Sequence, residues 1–229
     1  MQKLTIGIFI LFFSLSALGQ TKINLTLKKE LDSILFEDQN LRELFSSNLL
    51  QTKRDSLASV FKIDKKDLGP YIIKQISISD SLNLIRVEQI IKEYGYPGIS
   101  LVGPETNEAA YYVIQHSTKI DKYLSLIKKA ADKKELRFTL YAQMLDRSLM
   151  YKGKEQIYGT QGKGLEVLNK ETGAKEFKTV IWPIKDVAEA NKRRKKAGFK
   201  LTVEEYAKQS LRIDYKILTL EDIKKMQAQ

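Results

Sequence analysis

No cysteine occurs in the 229 residues of this chain. That excludes disulfides, thiol nucleophiles, thiolate metal sites and lipid attachment through an N-terminal cysteine. A chain of this length can be stabilised by core burial alone, so the absence is compatible with life outside the cytoplasm. Histidine is nearly as scarce: the single His116 rules out zinc sites built on histidine pairs and His-Glu-x-x-His motifs. Four prolines and twelve glycines are too few for a long linker or a low-complexity tract. There is no P-loop, dinucleotide fingerprint, calcium loop or Gly-x-Ser-x-Gly elbow, so no metal or cofactor is expected.

Long apolar runs are also missing, with one exception at the start. Lys3 supplies a positive head, Ile6 to Leu15 is almost wholly apolar, and Ala17-Leu18-Gly19 offers small residues at the cleavage positions. Residues 1–19 are therefore expected to be a secretory signal cut before Gln20, leaving a periplasmic or secreted chain. The run is shorter than the ~20 residues that span a bilayer, and no cluster of Lys or Arg follows it, so no stable membrane span is expected in the mature chain.

The formal charge is +11; losing Lys3 with the signal leaves 38 basic and 28 acidic residues, or +10. Outside the cytoplasm this favours anionic partners of the cell envelope, whether a small molecule, a peptide or a glycan. Nucleic acid is disfavoured, because no aromatic-basic module or recognition-helix pattern stands out. The bland explanation is a surface made soluble by dispersed lysines.

Periodicity organises the rest. Leu27, Leu31, Ile34 and Leu35, then Leu41, Leu44 and Phe45, have helical spacing, with a polar step at Glu37 to Asn40. A second amphipathic stretch, Thr52 to Phe61, ends in a charged turn at Asp64 to Pro70. Ser79 or Asp80 can cap a helix carrying Leu84, Val87, Ile90, Ile91 and Tyr94, which Gly95 and Pro97 end. Beyond the loop Gly98 to Gly103, helices are expected from Thr106, over Lys119 to Lys133, and over Phe138 to Lys152. The period then changes: Gln156 to Gln161 and Gly164 to Leu168 read as extended, Asn169 to Gly173 as a turn, and Phe177 to Trp182 as a β run. Short helices at Val187 to Lys196 and Val203 to Gln209 precede an alternating strand, Leu211 to Ile217. Thr219 can cap a last helix. The expected fold is α+β, mainly α: a helical domain with a small antiparallel hairpin or sheet in the C-terminal third. Residues 20–36 lead in, 37–209 form one globular domain, and 210–229 extend it.

The helix from Phe138 is apolar nearly all round and should be buried, yet it carries Asp146 and Arg147. Buried charges need partners, which makes this pair either a structural brace or part of a site. His116 lies on an apolar helical face, where a hydrogen-bonded core role competes with acid–base chemistry near neutral pH. In Tyr158-Gly-Thr-Gln161, Gly159 permits a close approach. The run Lys192 to Lys196 wraps around its helix rather than forming one face.

Further segments carry a family resemblance: Glu37-Asp-Gln-Asn-Leu-Arg42; Ser81 to Gly98; Ala109-Ala110 with Ile114-Gln-His116; Leu145-Asp-Arg147 with Met150; Gln156 to Gln161; Pro183-Ile-Lys-Asp186; Asn191, Arg193, Arg194 and Gly198; and Glu205-Tyr206. In order and spacing these resemble a bacterial family of uncharacterised proteins, domain of unknown function 6624, over about Glu37 to Tyr206. Tyr96 stands where the family usually has Trp, and Val187 where it usually has Pro. The resemblance implies no activity, but it selects polar residues: Asp38, Gln39, Arg42, Gln115, His116, Asp146, Arg147, Tyr158, Gln161 and Arg193.

Three readings follow. A binding module would hold a polar or anionic envelope ligand in a cleft lined by these residues, with the arginines as anchors. A metal-independent hydrolase or transferase would use His116 as general base, Asp146 to orient it, and Arg147 or Arg193 to stabilise negative charge. A structural envelope protein would use the same cluster as an internal brace.

Overall fold

The computed structural model describes residues 22–43, 51–169 and 172–227. The expected signal segment lies outside them, as do Leu44, Phe45 and the turn residues 170–171. Among the described residues the chain is mainly helical, with one two-stranded antiparallel sheet.

Helix α1 (Leu25–Glu43) runs unbroken through the polar step at Glu37 to Asn40. Its buried residues, Leu27, Leu31, Ile34 and Asp38, follow one helical stripe. The step does not interrupt the helix because only Asp38 of its four residues is buried. Helix α2 (Gln51–Phe61) leads to α3 (Leu68–Tyr94). Helix α3 begins well before the expected Ser79 or Asp80 cap. Pro70 is tolerated in its first turn, where an amide has no intrahelical acceptor. Inside the helix, Ser81 donates back to the Ser77 carbonyl and Asp80 pairs with Arg42, so the polar run is absorbed without a break. Gly95, at φ 74°, ends α3 and donates its amide to the Ile91 carbonyl.

The glycine-bounded segment expected as a loop holds a short helix, α4 (Ile99–Val102). Then come α5 (Ala109–Gln115), α6 (Ile120–Asp132) and α7 (Phe138–Tyr151), the last two close to their expected bounds. Helix α1 packs on α3 and α5, and α6 on α7. Leu31, Val87, Ile90, Ile114, Ile127 and Met144 meet in the helical core. Burying each such side chain contributes about 1.5–3 kcal/mol.

The hairpin β1 (Gly162–Leu168) and β2 (Lys175–Ile181) pairs Gly162 with Ile181 and Leu168 with Lys175. Leu165, Val180 and Trp182 pack on Ile223 of α10 (Leu220–Gln227). Thr219 caps α10, accepting the Asp222 amide while the Asp222 carboxylate accepts the Thr219 amide. Helices α8 (Ala190–Ala197) and α9 (Val203–Tyr206) complete a separate small core with Ile181, Ile184 and Ala207. The expected strand at Leu211 to Ile217 is not one. Leu211, Ile213 and Tyr215 lay their side chains on that small core, but their backbone joins no ladder. Alternation here reports one-sided packing rather than pairing. No described helix is long and apolar enough to cross a membrane.

Candidate functional site

Asp38 occupies a position on α1 where the stripe calls for an apolar residue, and its side chain has no exposure. A carboxylate there must be partnered. His116, at the C-terminal end of α5, places Nδ1 3.1 Å from Asp38 Oδ1. Gln39 donates to Oδ2 at 2.6 Å, and Arg42 Nη2 stands 3.5 Å from Oδ1. Arg42 also pairs with Asp80 of α3. Burial pushes the Asp38 carboxyl up, but His116, Arg42 and Gln39 outweigh it, and the net shift is downward. One potential ligand atom from each of Asp38, Asp80 and His116 lies within 4.8 Å of the others. That is a spacing a cation could use, although the Arg42 guanidinium already meets both carboxylates. The His116 ring is 18% exposed, and among the described residues its Nε2 has no hydrogen-bond partner.

A second polar group is built around Asp146, which is 0% exposed. Its oxygens accept the amides of Ile157, Tyr158 and Thr160 and the Thr160 hydroxyl. Burial pushes this carboxyl up, and those donors pull against the shift without cancelling it. Asp146 therefore holds a loop instead of orienting His116, and Asp38 occupies the position beside the imidazole. Arg193 and Arg194 grip the same loop through its carbonyls: Arg193 Nε donates to Ile157, and Arg194 Nη1 to Tyr158 and Gly159. Gln156 donates to the carbonyls of Gln161 and Trp182, the residues that flank the open end of the hairpin. Gly159, at φ 67°, sits where a Cβ would strike Ile184 and Val203, so the close approach expected there is to core side chains.

Arg147 connects the two groups. Its Nη1 donates to the Gln115 carbonyl, next to His116, and its Nε to the Gln161 side chain, both at 3.2 Å. Gln115 Oε1 and Gln143 Oε1 each lie 3.2 Å from the Tyr111 hydroxyl and compete for its one proton. The residues selected from the sequence thus divide. Asp38, Gln39, Arg42 and His116 form one cluster, while Asp146, Gln161 and Arg193 belong to the other with the backbone of Tyr158. Arg147 and Gln115 lie between.

A match to the family of unknown function DUF6624 covers residues 62–217, about two thirds of the chain. The chain belongs to DUF6624. As a DUF6624 member it has the Asp146 group inside the matched span, together with His116 and Asp80 of the other group, whereas Asp38, Gln39 and Arg42 precede it. The matched span also runs past Tyr206 to Ile217, beyond the motifs that carried the resemblance. No curated protein and no solved structure matches this DUF6624 chain.

Four contributors were missed from sequence. Arg194 was hidden in the basic run, although its spacing to Ala190 and Ala197 puts it on that helix's buried face. Gln156 and Thr160 carried no signal beyond lying in a polar motif. Asp80, expected as a cap, carried none for its pairing with Arg42.

Proposed function

We propose that the mature chain is an exported binding module that holds a polar, anionic ligand of the cell envelope against His116. The observation that carries this reading is the state of the imidazole. Asp38 engages Nδ1 from a fully buried position, and among the described residues Nε2 has no partner on a partly exposed ring. A buried carboxylate costs desolvation that an apolar residue on the same stripe would not. Here the cost goes into fixing one ring orientation and one tautomer, which is what a hydrogen-bonding or proton-exchanging contact needs. Arg42 is matched by Asp38 and Asp80, so the positive charge an anion requires would come from Arg147, which donates to the Gln115 carbonyl next to His116 and pairs with no carboxylate among the described residues. The expected export signal and the +10 balance of the mature chain favour an envelope ligand.

Because His116 is the only histidine, its imidazole NMR signals are unambiguous. Glycerol 3-phosphate and N-acetylmuramic acid, titrated into the mature chain, should move those signals saturably, and glucose should not. Arg147→Ala should abolish the accompanying thermal-shift protection. Signals that stay fixed with every anion, together with an Arg147→Ala variant that merely melts earlier, would leave only the brace.

The Asp38–His116 pair also favours a second reading, a metal-independent hydrolase. Nε2 would take a proton from water as its oxygen attacks an ester carbonyl, then return it to the leaving alkoxide. Turnover of 4-nitrophenyl acetate that His116→Gln abolishes would select this reading over simple binding.

A further inference from the structure

A cleft of about 710 Å³ opens between the first turns of α7 and the turn after α8. Its walls include the rings of Tyr112, Phe138 and Phe199, and its charged groups are Arg137 and Lys200. An adjoining hollow of about 460 Å³ shares Phe138 and Ala197 with it and adds Tyr158, Arg193 and Lys196. Among the described residues no Asp or Glu lines either space. Of these residues, only Tyr158 and Arg193 are among the site candidates selected from the sequence.

The cations are not equally spent. Glu108 pairs with Arg137 through Nε and Nη2, which leaves Nη1. Arg193 gives its donors to the carbonyls of Ile157, Asp186 and Lys185, and among the described residues it pairs with no carboxylate. Lys196 and Lys200 are exposed and have no ion-pair partner among the described residues. The aromatic wall is held in place. The Arg194 guanidinium lies 4.7 Å from the Phe199 ring centroid, and the Tyr158 and Phe199 rings are 6.2 Å apart. The first turn of α7, which no side chain caps, faces the same space and adds the positive end of a helix dipole.

We propose that this cleft and the hollow beside it form a binding site for an anion that carries a planar ring, with the rings packing its face and Lys200 of the cleft and Lys196 of the hollow pairing its charge. The volume is in the range of small-molecule sites, and the mix of aromatic wall and a few charged groups is how such sites gain both affinity and orientation. This goes beyond the His116 reading, since the cleft includes neither Asp38 nor His116.

Calorimetric titration of the mature chain with phenyl phosphate, inorganic phosphate and phenol tests it. Phenyl phosphate should bind one to one, at least about tenfold more tightly than either half alone. The double variant Lys196→Glu, Lys200→Glu should weaken it by about tenfold or more, and both positions are exposed enough to keep the fold. His116→Gln should leave the affinity unchanged. The proposal is overturned by no binding at about 10 mM phenyl phosphate, by equal affinity for inorganic phosphate, or by an unchanged affinity in the double variant. Loss of binding in His116→Gln would place the anion at the imidazole and overturn it too.

Discussion

Asp146 and Arg194 hold one short loop from its two polar sides. Asp146 takes the amides of Ile157, Tyr158 and Thr160, and Arg194 takes the carbonyls of Tyr158 and Gly159. The carboxylate is 0% exposed and Arg194 is 3% exposed. Among the described residues they form no direct ion pair; the Gly159–Thr160 peptide lies between them, its carbonyl accepting from Arg194 and its amide donating to Asp146.

That arrangement predicts coupling. Asp146→Asn and Arg194→Met should each lower stability by roughly 3 kcal/mol, because each strands buried backbone groups. The double variant should lose less than the sum, by about 1 kcal/mol or more, since either change alone already frees the loop. Urea denaturation of the four proteins measures this, and strict additivity would mean the loop is not their common element.

Gly159 is the tightest point of the loop. Gly159→Ala forces a Cβ to 2.6 Å from Ile184 Cδ1 and 3.0 Å from Val203 Cγ2, at a φ of 67°. A loss of roughly 2–4 kcal/mol is expected from overpacking and left-handed strain together. Adding Ile184→Val removes the clashing methyl, so it should restore part of the melting temperature and not all of it.

Of these features, the loop was legible only in outline. Tyr158 to Gln161 stood out as a polar motif around a glycine, and Asp146 as a charge on a buried helix. Their meeting was invisible, because nothing in helical periodicity says which distant backbone amides will reach a given carboxylate.

Glu88 gives a pH signature away from both polar groups. Lys119, Lys122 and Tyr123 hydrogen-bond its carboxylate and hold its pKa at about 2, below the ordinary 4.5. A depressed carboxyl contributes fully above its unfolded value and loses that contribution as pH falls through the folded one. The stability gap between wild type and Glu88→Gln should therefore be constant from about pH 7 to 5 and close between about 4.5 and 2. A gap that does not change in acid would show the interaction to be absent.

Asp38 should set the tautomer of His116. In the wild type, neutral His116 is expected to carry its proton on Nδ1, facing Asp38 Oδ1. Asp38→Asn should raise the share of the Nε2-protonated form, read from long-range nitrogen–proton NMR correlations of the one imidazole. An unchanged pattern would remove Asp38 as its positioning residue.

By itself the sequence determined the elements whose signal is local. Helices α6 and α7 follow from 3.6-residue periodicity, the hairpin from a change of period around Asn169 to Gly173, and the last helix from Thr219 with Asp222 three residues on. Local pattern misled where tertiary contacts took over, as in the start of α3 and the unpaired segment after Leu211. Only the folded chain decided that Asp38, 78 residues from His116 in sequence, is the carboxylate beside it. Periodicity tells which face of a helix is buried, but the group that meets a buried charge comes from another element, and its identity depends on how the helices dock.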